Sequence, residues 1–122
     1  MKAARQISLK RAYEPAAPGD GYRVLVDRLW PRGVSKQALP LDLWDKDLAP
    51  TTKLRQWFGH DPEKWVEFSR QYRRELSSAA QKARLQELLT SAGRRPLTLV
   101  YGAKDSLHTH AIVLREVLLK AP

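Results

Sequence analysis

The run Val24-Leu25-Val26 constrains the fold most. Three consecutive apolar residues break the in–out alternation of a half-exposed strand. A strand that places apolar side chains on both faces belongs to a sheet covered on both sides. The run ends abruptly at Asp27-Arg28-Leu29-Trp30-Pro31-Arg32-Gly33, where charge, a stiff Trp-Pro pair and a glycine follow one another. A buried strand that stops at such a segment is the central feature of this sequence.

The flanking pattern supplies the other elements. Residues 7–13 predict a first strand, with Ile7 and Leu9 alternating against Ser8 and Lys10. Residues 14–21 form a Pro/Gly/Ala loop, residues 22–28 a second strand, and residues 41–44 a short third. Thr51 or Thr52 caps a helix through Phe58, stopped by Gly59. Asp61 caps the next helix with Pro62 at its first position and Glu63 behind it. Trp65, Phe68, Tyr72 and Leu76 share one face of that helix. Ser77 or Ser78 opens a helix through Ala92, with Leu85, Leu88 and Leu89 inward and Gly93 as its stop. Residues 96–101 read as a buried strand. A last helix is expected from Asp105 or Ser106, with Leu107, Ala111, Leu114 and Leu118 as its stripe.

Strands alternating with helices predict an α/β fold: a single small domain over residues 1–122, with an open, mostly parallel sheet flanked by helices on both faces. The length of 122 residues suits one core. In such sheets ligands bind outside the carboxyl ends of the strands. Two segments satisfy that rule: Asp27-Arg28 onward after the second strand, and Gly102-Ala103-Lys104-Asp105 after the last. If the two strands are neighbours, the segments share one crevice.

Composition narrows the chemistry. The chain has no cysteine, which excludes disulfides, thiolate catalysis and cysteine-based metal sites. No apolar run marks residues 1–15 as a secretory signal, and no stretch reaches the ~20 apolar residues of a membrane span; a cytoplasmic location without membrane association is expected. Twenty-two Lys and Arg against thirteen Asp and Glu give a net charge of +9, so anionic small molecules and nucleic acid are the expected partners. No phosphate-cradling glycine loop, zincin histidine pair or Gly-x-Ser-x-Gly elbow is present, and no cofactor is expected. His108 and His110 diverge on a helix, which argues against a metal.

Within the two strand ends, Arg28 and Arg32 are suited to hold phosphate or carboxylate, and Asp27 leaves the sheet beside them. Lys104 lies in the second turn, Asp105 caps the last helix, and His108 stands in its first turn, where the helix dipole keeps the imidazole neutral. His110 points elsewhere on that helix. Asp27, Asp105 and His108 are therefore the candidate proton-handling residues. Arg28, Arg32, Arg55, His60, Tyr101 and Lys104 are the candidate ligand-binding residues. Each has a plainer reading as an ion pair, a cap or a packing contact. Trp30 reads as a core anchor, and Arg70, Arg73 and Arg74 as a solvated helix face.

The order of these residues resembles the domain-of-unknown-function 488 family in its YeaO-like branch. The resemblance rests on the run from Val24 to Gly33, then Trp44 with Lys46, Leu48-Ala49-Pro50, Leu54-Arg55 with Trp57-Phe58, and His60-Asp61-Pro62. It continues through Trp65 with Phe68, Tyr72 with Glu75-Leu76, Thr98-Leu99 with Tyr101, and Ala103-Lys104-Asp105 with His108. It spans nearly the whole chain and implies a small bacterial α/β protein, without a substrate. One departure stands out: many relatives carry asparagine after the histidine, where this chain has Thr109. Three functions follow as expectations. The first is an enzyme or ligand-binding domain for a phosphate- or nucleotide-like anion. The second is a nucleic-acid-binding module, and the third a protein–protein adaptor anchored on Trp30 or Trp44. Oligomeric state is left open.

Overall fold

The two central strands, residues 22–25 and 97–101, combine β-branched and aromatic residues between turn formers. The computed structural model describes residues 5–121. β1 (Ile7–Arg11), β2 (Tyr22–Leu25), β3 (Leu43–Trp44) and β4 (Leu97–Tyr101) make one parallel sheet in the order β1-β4-β2-β3. β4 is the last strand in sequence yet lies between the first two. Its five residues are all buried, as are the four of β2. The expected burial on both faces is therefore present.

α1 (Thr52–Phe58), α2 (Trp65–Leu76), α3 (Ala79–Ala92) and α4 (His110–Lys120) complete the chain, with short 3-10 turns at Pro18–Asp20, Lys46–Leu48 and Pro62–Lys64. The buried side chains of all four helices join one cluster with Val24, Val26, Leu97, Leu99 and Tyr101 from the sheet. Leu25 and Val100 face the other way and pack with Leu39, Trp30, Val34, Leu41 and Trp44. The α/β class and the parallel sheet are those expected. The second face is covered by the loop between β2 and β3 in place of a helix. No helix among the described residues is long and apolar enough to cross a membrane.

Local signals fix most boundaries. Thr51 Oγ1 accepts from the Leu54 N–H, and Gly59 closes α1 in the left-handed region at φ 53°. Asp61 caps the turn that leads into α2, and Ser78 caps α3. Five expectations are corrected. β1 ends at Arg11 and β2 at Leu25, short of positions 13 and 28, although the Val26 N–H still donates to the Val100 carbonyl at 3.0 Å. The last helix starts at His110, several residues later than expected, because Thr109 is its cap. Asp105 instead closes a preceding turn by accepting from the Leu107 and His108 N–H groups. Leu107 therefore lies outside α4 and is 73% exposed, so it is no part of the helix stripe.

Candidate functional site

β2 and β4 are hydrogen-bonded neighbours, with Leu25 opposite Val100. Their carboxyl ends deliver Asp27 and Gly102 to the same place, and the Gly102 N–H donates to Asp27 Oδ2 at 2.8 Å. A cleft of about 330 Å³ opens there, at the small end of the range for small-molecule sites. Its walls come from the β2–β3 loop, the turn before α1, the second half of α1 with a residue beyond its end, and the segment leading into α4.

The β2–β3 loop is stiff. Gly33 turns the chain at φ 77°, and Pro31 is buried. The Trp30 indole N–H donates to the Val34 carbonyl at 2.6 Å, and its ring meets Trp44 edge-on at 5.4 Å. The Trp44 indole N–H donates to the Asp27 carbonyl at 2.7 Å. Both tryptophans thus brace the loop from within, as expected for Trp30, and neither has a free indole N–H to anchor a partner. From this frame Arg28 reaches the turn before α1: Nε donates to the Pro50 carbonyl at 3.1 Å and Nη2 to that of Ala49 at 3.2 Å. Arg28 both lines the cleft and clasps its two walls together.

Arg32 and Arg55 line the cleft from opposite elements, and both are exposed. Among the described residues neither forms an ion pair. His60 lines it beyond the end of α1 and holds a left-handed backbone at φ 58°, a conformation in which histidine is over-represented among non-glycine residues but still uncommon. His108 lines it from the turn before α4, its Nδ1 2.7 Å from Asp105 Oδ2. That hydrogen bond is the main reason the Asp105 carboxyl is held below the usual carboxylate range. Asp105 itself lies behind His108 and does not line the cleft.

Six of the nine residues singled out from sequence line this cleft: Asp27, Arg28, Arg32, Arg55, His60 and His108. Three do not. Tyr101 is 3% exposed inside the core, where burial raises its phenol pKa. Lys104 is exposed outside the cleft, and Asp105 acts through His108. His108 precedes the helix and is held by Asp105, so the expected position in the first helical turn is corrected. His110 reverses its expectation too. It occupies that first turn, its ring points back over β2 to place Nε2 2.9 Å from the Val26 carbonyl, and it lines the cleft. All three histidines of the chain meet there. Tyr13 was also missed; its hydroxyl donates to the Arg32 carbonyl at 2.9 Å. No local signal reveals a contact across nineteen residues. Thr109 is buried and lines the cleft while capping α4.

Comparison with known proteins adds the family. Residues 6–122 match the family described as "Inactive DUF488-N3 subclade". The chain is 46% identical to "Uncharacterized protein YeaO" of Escherichia coli (strain K12), over 92% of this chain and 96% of that protein. It is 40% identical to "Uncharacterized protein Rv3073c" of Mycobacterium tuberculosis (strain ATCC 25618 / H37Rv), over 97% of this chain and 98% of that protein. No solved structure matches.

Proposed function

The chain belongs to the DUF488 family, in its YeaO-like branch, and from that premise we propose that the cleft binds a small phosphate- or nucleotide-like anion. One observation carries the reading. Arg32 and Arg55 approach the same cleft without a carboxylate partner, beside the partly engaged Arg28. Guanidiniums left unneutralised around a concave site favour a multivalent oxyanion, which takes several of their N–H groups at once. Two further histidines line the walls; His108 already donates its Nδ1 proton to Asp105, which leaves the ring of His60 to add an N–H on the same side of the balance. Asp27 is the one carboxylate lining the cleft among the described residues, and one of its oxygens is already held by Gly102.

Binding is favoured over turnover. The word "inactive" in the family description points that way. So does the engagement of Asp27 and Asp105 in internal hydrogen bonds, which suits orienting groups better than exchanging protons. Isothermal titration with inorganic phosphate, pyrophosphate and a nucleoside monophosphate tests the reading. Arg32→Ala and Arg55→Ala should each weaken binding about tenfold, the loss of one charge-assisted contact, with the far-UV spectrum unchanged. Absence of binding by all three ligands, or full affinity in the double variant, would refute it.

A further inference from the structure

The acidic wall of the same cleft says more about the ligand, on the premise that the cleft binds an anion. Asp27 is fixed from two directions. Its Oδ2 accepts the Gly102 N–H at 2.8 Å, and its backbone carbonyl accepts the Trp44 indole at 2.7 Å. The first contact is so close that a Cβ on residue 102 would stand 3.1 Å from Oδ2. Oδ1, by contrast, is buried and accepts no hydrogen bond from the protein.

His110 Nε2 lies 3.4 Å from Oδ1. That nitrogen lies 2.9 Å from the Val26 carbonyl. A carbonyl oxygen can only accept, so Nε2 carries the proton and spends it there. Tyr72 holds the ring in place with an edge-on contact at 5.9 Å between centroids. His110 therefore cannot swing its N–H onto Oδ1 without giving up both contacts. A carboxylate oxygen offers lone pairs and no proton, and burying it without a donor is unfavourable. It also repels an approaching oxyanion. A bare inorganic anion satisfies the arginines and leaves this wall unmatched.

We infer that the ligand carries a hydroxyl or amino group in addition to its anionic group, and that this group donates to the Asp27 carboxylate, whose side chain is 22% exposed. The class is a phosphate monoester of a polyhydroxylated or aminated carbon skeleton. Phosphate oxygens lie toward Arg32 and Arg55, and the O–H or N–H lies toward Asp27.

A matched pair of ligands tests this. Glycerol 3-phosphate and n-propyl phosphate share the phosphate and the three-carbon chain and differ in the hydroxyls. Titrated calorimetrically against the wild-type protein at fixed pH and ionic strength, glycerol 3-phosphate should bind about tenfold tighter or better, as expected of a site whose polar group otherwise stays unpaired. Asp27→Asn keeps the shape and keeps an acceptor for the Gly102 N–H, while placing an NH₂ where Oδ1 stood. In that variant the preference should collapse, with propyl phosphate bound as well as before or better. Equal wild-type affinities for the two esters would overturn the inference and leave the anion-binding reading standing. Failure of both esters and of inorganic phosphate to bind would overturn both. The wild-type comparison decides the matter even if the variant does not fold.

Discussion

Asp20 shows how a single charged residue can be spent on the fold and not on a site. It is buried at the amino end of β2, where Lys10 Nζ donates to it at 2.9 Å, Arg23 Nη1 at 2.6 Å and the Ala17 N–H at 3.0 Å. Burial pushes its carboxyl pKa up, but these hydrogen bonds outweigh it and bring the value down from 3.8 to about 2. A depressed native pKa stabilises the fold above the unfolded value, and the stabilisation is lost as pH falls through the native one. Asp20 should therefore contribute roughly 2 kcal/mol that is complete above about pH 5 and disappears toward pH 2. Urea midpoints measured from pH 2 to 6 would show a steeper acid loss in the wild type than in Asp20→Asn; parallel curves would remove Asp20 from the account. The next residue is equally committed. Gly21 turns the chain at φ 66°, and a Cβ there would meet the Pro96 carbonyl oxygen at 2.2 Å. Gly21→Ala should cost about 3 kcal/mol or more, since strain and collision add. A thermal midpoint unchanged from wild type would contradict this.

At the scale of elements, α2 ties the cleft wall to the core. The Tyr72 hydroxyl is fully buried and donates to the Leu48 carbonyl at 2.5 Å, which fixes the turn leading to Ala49 and Pro50. Those are the two carbonyls that hold Arg28. Glu75, a turn further along, accepts from both the N–H and the hydroxyl of Thr51. Tyr72→Phe leaves the Leu48 carbonyl buried and unpaired, so it should cost about 1–3 kcal/mol. It should also loosen Arg28, raising amide exchange over residues 48–51 in hydrogen–deuterium measurements. A loss of stability without that local change would separate the tyrosine from the cleft. The caps of this region were readable in the sequence because each acts within a few residues: Thr51, Gly59, Asp61, Ser78 and Gly93 stand where their chemistry requires. The start of α4 was not readable, because two capping residues four positions apart compete there. Asp105 satisfies the N–H groups of its own turn, and Thr109 takes the helix. Nothing in the local pattern ranks one above the other.

The whole molecule decides which strand ends meet. Apolar runs and the residues after them identified the ends of β2 and β4, but the insertion of β4 between β1 and β2 is a property of packing over the full chain. That insertion brings Asp27 to Gly102 and His110 to Val26, contacts 75 and 84 residues apart. The same scale governs the +9 charge. On α2, Arg70 is paired with Glu67 and Arg73 with Glu116, so that face offers less free charge to a polyanion than its sequence suggests. Exposed pairs of this kind are worth little to stability, yet they cancel field locally. The free guanidiniums of Arg32 and Arg55 lie at the cleft instead. Duplex DNA, too wide for that cleft, should therefore bind only through diffuse charge, with a dissociation constant of about 10⁻⁴–10⁻⁶ M near physiological salt and a steep loss as salt rises. Because the diffuse field does not depend on the cleft, Arg32→Ala/Arg55→Ala should change DNA affinity little while weakening the binding of phosphate monoesters about a hundredfold. Fluorescence anisotropy across a salt series checks both. Tight, salt-resistant DNA binding that the double variant destroys would move the nucleic acid into the cleft's place as the ligand.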